Sequence, residues 1–351
     1  VQRAPPGLTR VFYAENGSSA VEIALKMSFH AWRNRGHAHK HRFVSLTNAY
    51  HGETLGALAV GGVALYRETY GPLLMPCLEA PSPDCYLRPE GVDWDTHSRG
   101  ILAPMEALLA EHGEEICAVI VEPLIQCAAG MRMYHPSYLR GLRALCDRYG
   151  VHLIADEIAV GFGRTGTFFA CEQAGITPDF LCIGKGLTGG YLPLAAVLTG
   201  EAIYQCFYDD YTTLKAFLHS HSYTGNALGC AAALATLDLF DTTPVLESNR
   251  RLAAHLGQAL APMHHHPHVG EVRQTGLVAA IEMTPRGDRS SSYPWQERRG
   301  LRVYRYALEQ GVILRPLGNV VYVMPPYVIT EAEIDLMIEV AQAGITRATA
   351  D

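Results

Sequence analysis

The sequence predicts an α/β protein with a large domain, built on a mostly parallel central sheet flanked by helices, and a smaller α+β domain at its carboxyl end. Short apolar, β-branched runs alternate with helical patterns from Val11 onward, which is typical of parallel strands joined by crossover helices. With 351 residues, 48% of them apolar, the chain is long enough for one large domain and a smaller one.

The large domain contains four clear strand-like runs. They are residues 41–46, 117–124, 151–158 and 179–184. Between the second and third of these runs, residues 136–150 have proline at the start, apolar residues at helical spacing and glycine at the end. This pattern predicts a crossover helix.

The domain boundary is predicted between two helices near residue 243. A long Ala-rich helix follows Asn226, and a second periodic stretch covers 245–260, so we assign 1–243 to the large domain and 244–351 to the small one. In the small domain, strand-like segments lie between two helical patterns. The strand-like segments are 276–283, 311–318 and 320–325, and 285–298 is the best candidate for a mobile surface loop.

Composition argues against several classes of function. The net charge of −7 and the absence of a basic run disfavour nucleic acid, and the lack of an 18-residue apolar stretch or signal-peptide pattern predicts a soluble, cytoplasmic protein without membrane contact. Nine scattered cysteines without a C-x-x-C pair indicate reduced, buried thiols. The histidines of 263–268 lack companion ligands, so we expect a solvated turn and no metal.

Lys185 is the candidate for a nucleophilic or Schiff-base amine. The chain has only four lysines, and Lys26, Lys40 and Lys215 lie in polar or amphipathic stretches that suggest solvated surface charges. Lys185 instead follows the apolar run 179–184 and precedes GLTGG, at the end of a strand where open α/β sheets bind ligands. We expect it to be desolvated, with a lowered amine pKa.

Asp156 is the candidate partner for a pyridinium nitrogen. A Schiff-base cofactor needs a carboxylate there, because the protonated ring stabilises a substrate carbanion. Asp156 ends the strand-like run 151–158, and the distance in sequence to Lys185 allows a strand-to-strand crossover. The alternative is a helix N-cap for the segment that follows, since aspartate favours that position.

Two further features fit a phosphorylated, aromatic cofactor. Gly17 and Ser18 begin a helix after the strand-like VFYAE, where backbone N–H groups can bind phosphate, although a simple cap is the alternative. Tyr50 in NAYHGET can cover an aromatic ring, although a buried core tyrosine is the alternative.

Five segments, in this order and spacing, resemble the class III (omega) aminotransferases of pyridoxal 5′-phosphate (PLP) fold type I. The resemblance extends from about Val11 to the end of the chain, and the segments are FYAENGSSAVEIALKM, NAYHGET, IADEIAVGFGRTG, GKGLTGG and HSYTGNALGCAAAL. It implies a transferase that uses PLP and works as a homodimer in which each active site needs both chains.

The resemblance implies a role for each matching residue. Lys185 attaches the cofactor and carries the proton, Asp156 holds the pyridinium nitrogen, and Tyr50 stacks on the ring. Gly17 and Ser18 bind the phosphate, and His51, next to Tyr50, is expected to help bind the cofactor. Ser222 reaches the phosphate in the neighbouring subunit, and Arg315 holds the substrate carboxylate together with Tyr50. Arg164 and Tyr322 also match positions near the site, and their roles stay open.

One substrate-binding position stays without an assigned residue. The expected substrate set includes a glycine counted at position 218, but this sequence has leucine there, Leu218. The equivalent of that glycine is therefore unknown from the sequence.

A narrower resemblance lies in 128–136, in the lysine followed by GLTGG, and in 313–330. It is to the family members that convert 8-amino-7-oxononanoate to 7,8-diaminononanoate in biotin biosynthesis, by a two-stage transfer. The alternatives are another class III enzyme acting on ω-amino acids or diamines, or a catalytically silent PLP-binding protein.

Two departures from the family pattern limit what the resemblance implies. We expect the family's N-terminal segment, which completes the small domain and adds aromatic residues to the substrate pocket, to be absent from this chain. His221 and Ser222 stand where relatives that use adenosylmethionine often carry Pro and Thr, so the donor is adenosylmethionine or lysine.

Overall fold

The structure is a computed structural model that describes residues 1–350. Its strands are β1 (Leu8–Ala14), β2 (Arg42–Leu46), β3 (Leu78–Ala80), β4 (Ile116–Val121), β5 (Ile125–Gln126), β6 (Arg132–Met133), β7 (His152–Asp156), β8 (Phe180–Ile183), β9 (Ala195–Gly200), β10 (Val269–Thr275), β11 (Val278–Met283), β12 (Pro316–Leu317) and β13 (Val320–Val323). Its α-helices are α1 (Gly17–Asn34), α2 (Leu55–Ala59), α3 (Ala64–Tyr70), α4 (Trp94–Gly100), α5 (Ala103–His112), α6 (Pro136–Tyr149), α7 (Glu201–Tyr204), α8 (Ala227–Thr242), α9 (Val245–Leu260), α10 (Arg299–Glu309) and α11 (Glu331–Ala348).

The central sheet has seven strands in the order β1-β9-β8-β7-β4-β2-β3. The neighbours from β8 to β3 pair in parallel, while β9 is antiparallel to both β1 and β8. All four strand-like runs of the large domain form strands of this sheet, and the crossover helix forms as α6. The prediction of an α/β fold with a mostly parallel central sheet is therefore confirmed.

Alternate residues of the central strands face opposite layers of helix. Ile154 and Phe180 pack in the cluster that contains α1, whereas Leu153 and Leu181 pack in the cluster that contains α6. These four side chains are fully buried, and a buried side chain of this size contributes about 1.5–3 kcal/mol to folding. The continuous apolar runs are explained by this burial on both faces.

Both ends of α6 were predicted correctly from the sequence. Pro136 occupies the first helical position, where its missing N–H costs nothing because that N–H would have no partner within the helix. Gly150 ends the helix with φ of +59°, a left-handed conformation that glycine adopts without strain.

A second, four-stranded sheet follows, in the order β10-β11-β13-β12, and all its neighbours are antiparallel. Its apolar residues share a core with α9, α10 and α11. α8 ends just before residue 243 and α9 begins just after it, and the division at 243/244 remains a prediction.

The predicted strand over 311–318 is wrong for most of its length. Only Pro316 and Leu317 pair, and they pair with β13 alone, so β12 lies at the edge of the sheet. Proline has no N–H to donate, which limits it to such edge positions. β9 and β10 were not predicted, and β10 reads VGEVRQT with few apolar residues.

The expectation for Lys40 is also wrong, because its side chain is buried. Its ammonium donates hydrogen bonds to the carbonyl oxygens of Gly113 (2.7 Å) and Ile116 (3.1 Å) and lies 4.9 Å from the ring centre of Trp32. Burial lowers the pKa of Lys40. The polar neighbours of Lys40 in sequence gave no sign of these distant partners.

Three further predictions concern the histidines of 263–268, the cysteines and the segment 285–298. His264 and His265 are exposed in a short 3₁₀ turn, and none of the nine cysteines forms a disulfide. The segment 285–298 is tied to the body of the protein, because Arg289 donates to the carbonyl oxygens of Tyr86 and Arg88. Among residues 1–350, no helix is long and apolar enough to cross a membrane.

Candidate active site

The candidate site lies at the carboxyl edge of the parallel strands. Asp156 ends β7 and pairs in register with Cys182 of β8, and Lys185 follows the end of β8 after Gly184. β1 brings the start of α1 to the same edge, since Ala14 pairs with Ala195 at the start of β9. Asp156, Lys185 and the start of α1, which were predicted separately from the sequence, therefore lie at the same edge of the sheet.

Asp156 is buried and held from two sides. Its Oδ2 lies 2.8 Å from Nδ1 of His51, and its Oδ1 accepts a hydrogen bond from the backbone N–H of Ile158 at 3.1 Å. Residue 156 does not cap a helix, because a turn follows β7. The His51 side chain is fully buried, and its Nε2 has no hydrogen-bond partner among the described residues. A buried nitrogen without a partner marks a position where a ligand can bind.

Lys185 lies at the mouth of this edge and is exposed in the single chain. The expectation that it is desolvated is therefore wrong for the chain alone, since Lys185 is exposed where a 3₁₀ turn begins. Its backbone has φ of +42°, an uncommon value for a residue with a side chain. The ammonium of Lys185 makes no hydrogen bond or ion pair with any described residue.

The start of α1 offers free backbone donors beside Asp156. Asn16 caps the helix through a bond from Ser19 N, which leaves the N–H groups of Gly17 and Ser18 without a partner in the described chain. The position of Ser18 also depends on Gly52, where a Cβ would lie 2.1 Å from Ser18 Oγ. Gly52 has φ of +123°, so only glycine fits there without strain.

Ile158 packs against the backbone of Gly17, at the start of α1, and of Gly184, just before Lys185. A Cβ at Gly17 would lie 3.1 Å from Ile158 Cδ1, and a Cβ at Gly184 would lie 3.4 Å from Ile158 Cγ2. The helix start, the strand end of Asp156 and the backbone before Lys185 therefore form one continuous surface.

Tyr50 is half-buried at the same edge rather than part of the core. Its hydroxyl donates to Glu53 Oε1 at 3.0 Å, and its backbone N–H donates to Glu122 Oε1 at 2.9 Å. Burial, with the hydrogen bond to Glu53, raises the pKa of Tyr50 to about 12, so its hydroxyl stays protonated at neutral pH.

Sequence reasoning missed Glu122, although a signal was present. Glu122 directly follows β4, and a charged residue at the end of a fully buried apolar strand is unusual. It is buried, and its second oxygen accepts a hydrogen bond from the backbone N–H of Cys127 at 3.0 Å. Burial raises the pKa of Glu122 to about 7.

Ser222 and Arg315 lie on exposed surface. Ser222 has no hydrogen bond within the described chain, and its loop is tied to the end of β1 by a bond from Tyr223 N to Glu15 Oε1 (3.1 Å). Arg315 precedes β12 instead of lying in a strand, which corrects the prediction, and it has no ion pair among residues 1–350. The alternative of a surface ion pair for Arg315 finds no support in this chain.

The expectation of a substrate-binding glycine at position 218 is wrong for this chain. The residue there is Leu218, whose side chain is 75% exposed. Its backbone oxygen accepts a hydrogen bond from the ammonium of Lys26 at 3.2 Å. Lys26 lies in α1 about 14 Å along the helix from Gly17, at a rise of about 1.5 Å per residue. Position 218 therefore lies beside the middle of α1 rather than at the sheet edge, and the equivalent of the expected glycine stays unassigned.

Arg164 and Tyr322 have structural contacts. Arg164 donates to Pro325 O at 2.7 Å and stacks on Tyr327, 4.4 Å from the ring centre, while Tyr327 donates to Phe162 O at 2.7 Å. Arg164 therefore joins the loop after β7 to the loop after β13. Tyr322 lies in β13 opposite Ala280.

Nearly the whole chain is similar to proteins of one known family. Residues 1–345 match the model of the family described as Aminotransferase class-III. The chain belongs to the class III aminotransferases. It is also similar to curated proteins named adenosylmethionine-8-amino-7-oxononanoate aminotransferase. The one from Nitratidesulfovibrio vulgaris is 48% identical over 99% of this chain and 64% of its own length. The one from Geobacter sulfurreducens is 45% identical over 99% of this chain and 77% of its own.

Solved structures support the family at the level of the fold. A structure with the same name from Methanocaldococcus jannaschii has a TM-score of 0.92 and 39% identity, covering 99% of this chain and 77% of its own. An omega transaminase from Pseudomonas jessenii, in complex with PMP, has a TM-score of 0.94 and 28% identity, covering 100% and 78%. The chain thus spans 64% of one relative's length and about three quarters of the others.

PLP is the cofactor of this family, and the residues at the sheet edge fit it. Asp156 supplies a buried carboxylate, the free N–H groups of Gly17 and Ser18 suit a phosphate, and the bare backbone at Gly17 and Gly52 allows close approach. The unpartnered Nε2 of His51 adds a buried polar atom at the same place. These features agree with one phosphorylated, aromatic ligand.

Proposed function

We propose that this chain catalyses the PLP-dependent transamination of 8-amino-7-oxononanoate to 7,8-diaminononanoate, a step of biotin biosynthesis, with adenosylmethionine as amino donor. One observation carries the proposal: Lys185, Asp156 and the start of α1 converge at one sheet edge in a chain 45% and 48% identical to relatives named for this activity. The net charge of −7 and the composition favour a cytoplasmic enzyme of small molecules without nucleic-acid or membrane partners.

Four groups of this chain would hold the cofactor. Gly17 and Ser18 would donate backbone N–H bonds to its phosphate, Asp156 would accept a hydrogen bond from its protonated ring nitrogen, and Tyr50 would cover its ring. When bound, PLP supplies an electron-withdrawing ring that stabilises charge at the reacting carbon. The bond from His51 to Asp156 Oδ2 fixes the carboxylate's orientation toward that ring.

Lys185 would act as the acid and base. Its amine would take the proton from the carbon that bears the departing amino group and deliver it to the reacting carbon of the cofactor, and would carry a proton in the opposite direction in the second half of the reaction. Its exposure at the mouth of the site leaves the side chain free to reach different positions, which a residue serving as attachment point and proton carrier requires.

Arg315 would bind the substrate carboxylate, together with Tyr50. A guanidinium without an internal ion pair is available for a bidentate bond to a carboxylate. Arg164 is committed to Pro325 and Tyr327 within the chain, which makes it the weaker candidate for this task.

We also propose that the working form is a homodimer with shared sites. α8 is apolar around its circumference, yet only Gly229 and Ala233 of this helix are buried in the single chain. Leu228, Leu234 and Leu239 are 70%, 62% and 59% exposed. An apolar helix of this kind is normally covered, and a second copy would also bring its Ser222 toward the cofactor phosphate.

The dimer is tested by light scattering on purified protein. We expect two chains per particle, and we expect Leu234→Lys to shift the particle toward one chain with loss of activity. Glu247→Lys, a change in helix α9, is the matched control and should leave the particle size unchanged. A wild-type particle of one chain with full activity would refute the shared site.

The reaction is tested by adding PLP to the purified chain with 8-amino-7-oxononanoate and either adenosylmethionine or lysine, and following diaminononanoate by mass spectrometry. Lys185→Ala should abolish turnover and remove the borohydride-trapped link between cofactor and protein. Lys215→Ala, which removes a lysine paired with Asp209 on the surface, is the control and should retain both. Full turnover by Lys185→Ala would end this assignment.

A second class III activity is supported by the likeness to omega transaminases, with TM-scores of 0.93 and 0.94. A screen of ω-amino acids and diamines separates the two: conversion of these amines without diaminononanoate formation favours the second activity. A trapped cofactor link without turnover of any amine favours a silent PLP-binding protein.

A further inference from the structure

We propose that Glu122 is a positioning residue of this site, whose carboxylate fixes Tyr50 and the turn at Cys127 around the cofactor. The proposal rests on the proposed function, since it assumes PLP at the sheet edge. Glu122 itself points its oxygens at backbone N–H groups and is expected to act through the residues that it holds.

The carboxylate of Glu122 joins two separate loops. Oε1 accepts from Tyr50 N in the loop after β2, and Oε2 accepts from Cys127 N just after β5. The hydroxyl of Tyr134 donates to the backbone oxygen of Glu122 at 2.6 Å and so fixes the glutamate's own backbone. Each oxygen of the carboxylate therefore accepts one backbone N–H bond, and both donors belong to loops beside the site.

Tyr50 is held at both ends by this arrangement. Glu122 fixes its backbone, and Glu53 accepts the bond from its hydroxyl, while Glu53 N donates to Ser18 Oγ at 3.1 Å. The ring that would cover the cofactor is thus connected to the residues that would bind the phosphate. Loss of the bond to Glu122 releases the backbone end of this connection.

The protonation of Glu122 depends on groups of the site itself. Burial raises its pKa to about 7, attraction to His51 and the N–H groups of Tyr50 and Cys127 oppose that rise, and Asp156 adds to it. Two buried carboxylates therefore lie near one histidine. Protonation of Glu122 turns one of its oxygens into a hydroxyl donor, so that it can no longer accept both N–H bonds.

Glu157 offers a matched control in the same sheet. It is fully buried, burial raises its pKa to about 7, and it also accepts two backbone N–H bonds, from Ala170 (2.7 Å) and Cys171 (2.8 Å). Those bonds hold a 3₁₀ turn of the body of the protein rather than the loops of Tyr50 and Cys127. The two glutamates are alike in burial, in pKa and in the number of backbone N–H groups that they bind. They differ in the segments to which those N–H groups belong.

The experiment compares Glu122→Gln and Glu157→Gln as purified full chains. Glutamine has one carbonyl oxygen, so each variant leaves one buried N–H facing an amide nitrogen, and both should unfold at lower urea concentration than the wild type. We expect only Glu122→Gln to weaken PLP binding, by about tenfold, or about 1.4 kcal/mol, and to change the circular dichroism of the bound cofactor. That signal reports the ring's asymmetric surroundings.

Equal effects of both variants on PLP affinity and on the cofactor's circular dichroism would overturn the positioning role, as would no effect of either. Should Glu122→Gln not fold, Glu122→Asp replaces it, because the shorter carboxylate keeps its charge but cannot reach both loops. Failure of the proposed function is separate: in that case the wild-type chain itself forms no borohydride-trapped link at Lys185.

Discussion

Buried charge is used in two different ways in this protein. At the carboxyl edge of the seven-stranded sheet, Asp156 and Glu122 lie around His51, whose Nε2 has no partner in the described chain. Where the second sheet meets the segments 84–88 and 130–133, three arginines face three acids, a group that we call the arginine cluster. Its members are Arg88, Arg132, Arg273, Asp84, Glu271 and Glu282.

The arginine cluster is neutralised from within. The side chain of Arg273 is wholly buried, donates to Met131 O at 2.7 Å and pairs with Glu282 at 2.8 Å. Arg88 pairs with Glu271 at 2.5 Å. Opposite charges that pair with one another hold two parts of the chain together. At the sheet edge, Asp156, Glu122 and His51 have no arginine or lysine paired to them among residues 1–350. The difference separates a structural ion network from a ligand site.

The largest effect is expected at the sheet edge, from Asp156→Asn. Loss of the carboxylate removes the partner of the cofactor's ring nitrogen, and we expect turnover to fall about a thousandfold, or ~4 kcal/mol, with the fold retained. Steady-state rates and a urea unfolding curve on the same sample measure both quantities.

Asp179→Asn is the control for that variant. Asp179 directly precedes β8, accepts a bond from Leu153 N at 2.7 Å and pairs with Arg143, at the opposite edge of the same sheet. Its loss should lower stability and leave turnover near the wild-type value. If the two aspartates affected turnover equally, the distinction between the two edges of the sheet would be lost.

A smaller effect, on stability alone, is expected from Arg273→Met. Removal of the arginine leaves the backbone oxygens of Gly130 and Met131 without their buried donor and removes the nearer partner of Glu282. Breaking a buried pair from one side costs about 3 kcal/mol of unfolding free energy. Arg251→Met, which removes an exposed pair with Glu331, should cost less than about 1 kcal/mol. Urea unfolding of both variants measures the difference, and equal losses would show that burial does not decide the value of these pairs.

Local pattern was sufficient for the elements that are buried on both faces. β4, β7 and β8 are continuous apolar runs, and each ends within a few residues of its predicted limit. Their order brought Asp156 and Lys185 to one edge, as predicted. Gly17 and Ser18 were candidates from the pattern of a helix start after a strand, whereas His51 was assigned through resemblance, and all three lie at this edge.

Long-range partners were the part that sequence could not supply. Lys40 looked solvated because its neighbours are polar, yet its acceptors lie more than seventy residues away. Glu122 was missed because its two N–H donors come from separate loops. Lys185 is exposed at the start of a short 3₁₀ turn, and a segment of this length has no hydrophobic periodicity from which exposure could be predicted.

The smallest expected effect is on the pH dependence of the unfolding free energy, through Glu157. Its folded pKa of about 7 lies above the ordinary value of 4.5, so its contribution to stability is fully present below pH 4.5 and is lost as pH rises through about 7. Glu157→Gln should flatten the fall in unfolding free energy over this range by at most about 1.4 kcal/mol per pH unit. Urea unfolding at a series of pH values measures the slope.

His152 makes this variant necessary, because its titration acts in the opposite direction. Burial lowers its pKa from 6.5 to about 4, so its contribution is present above pH 6.5 and is lost as pH falls through about 4. In the wild type the two slopes partly cancel between pH 4.5 and 6.5, and only the difference between wild type and Glu157→Gln isolates the carboxyl. An identical slope in both proteins would mean that Glu157 is ionised at an ordinary pH, and that its two backbone bonds outweigh its burial.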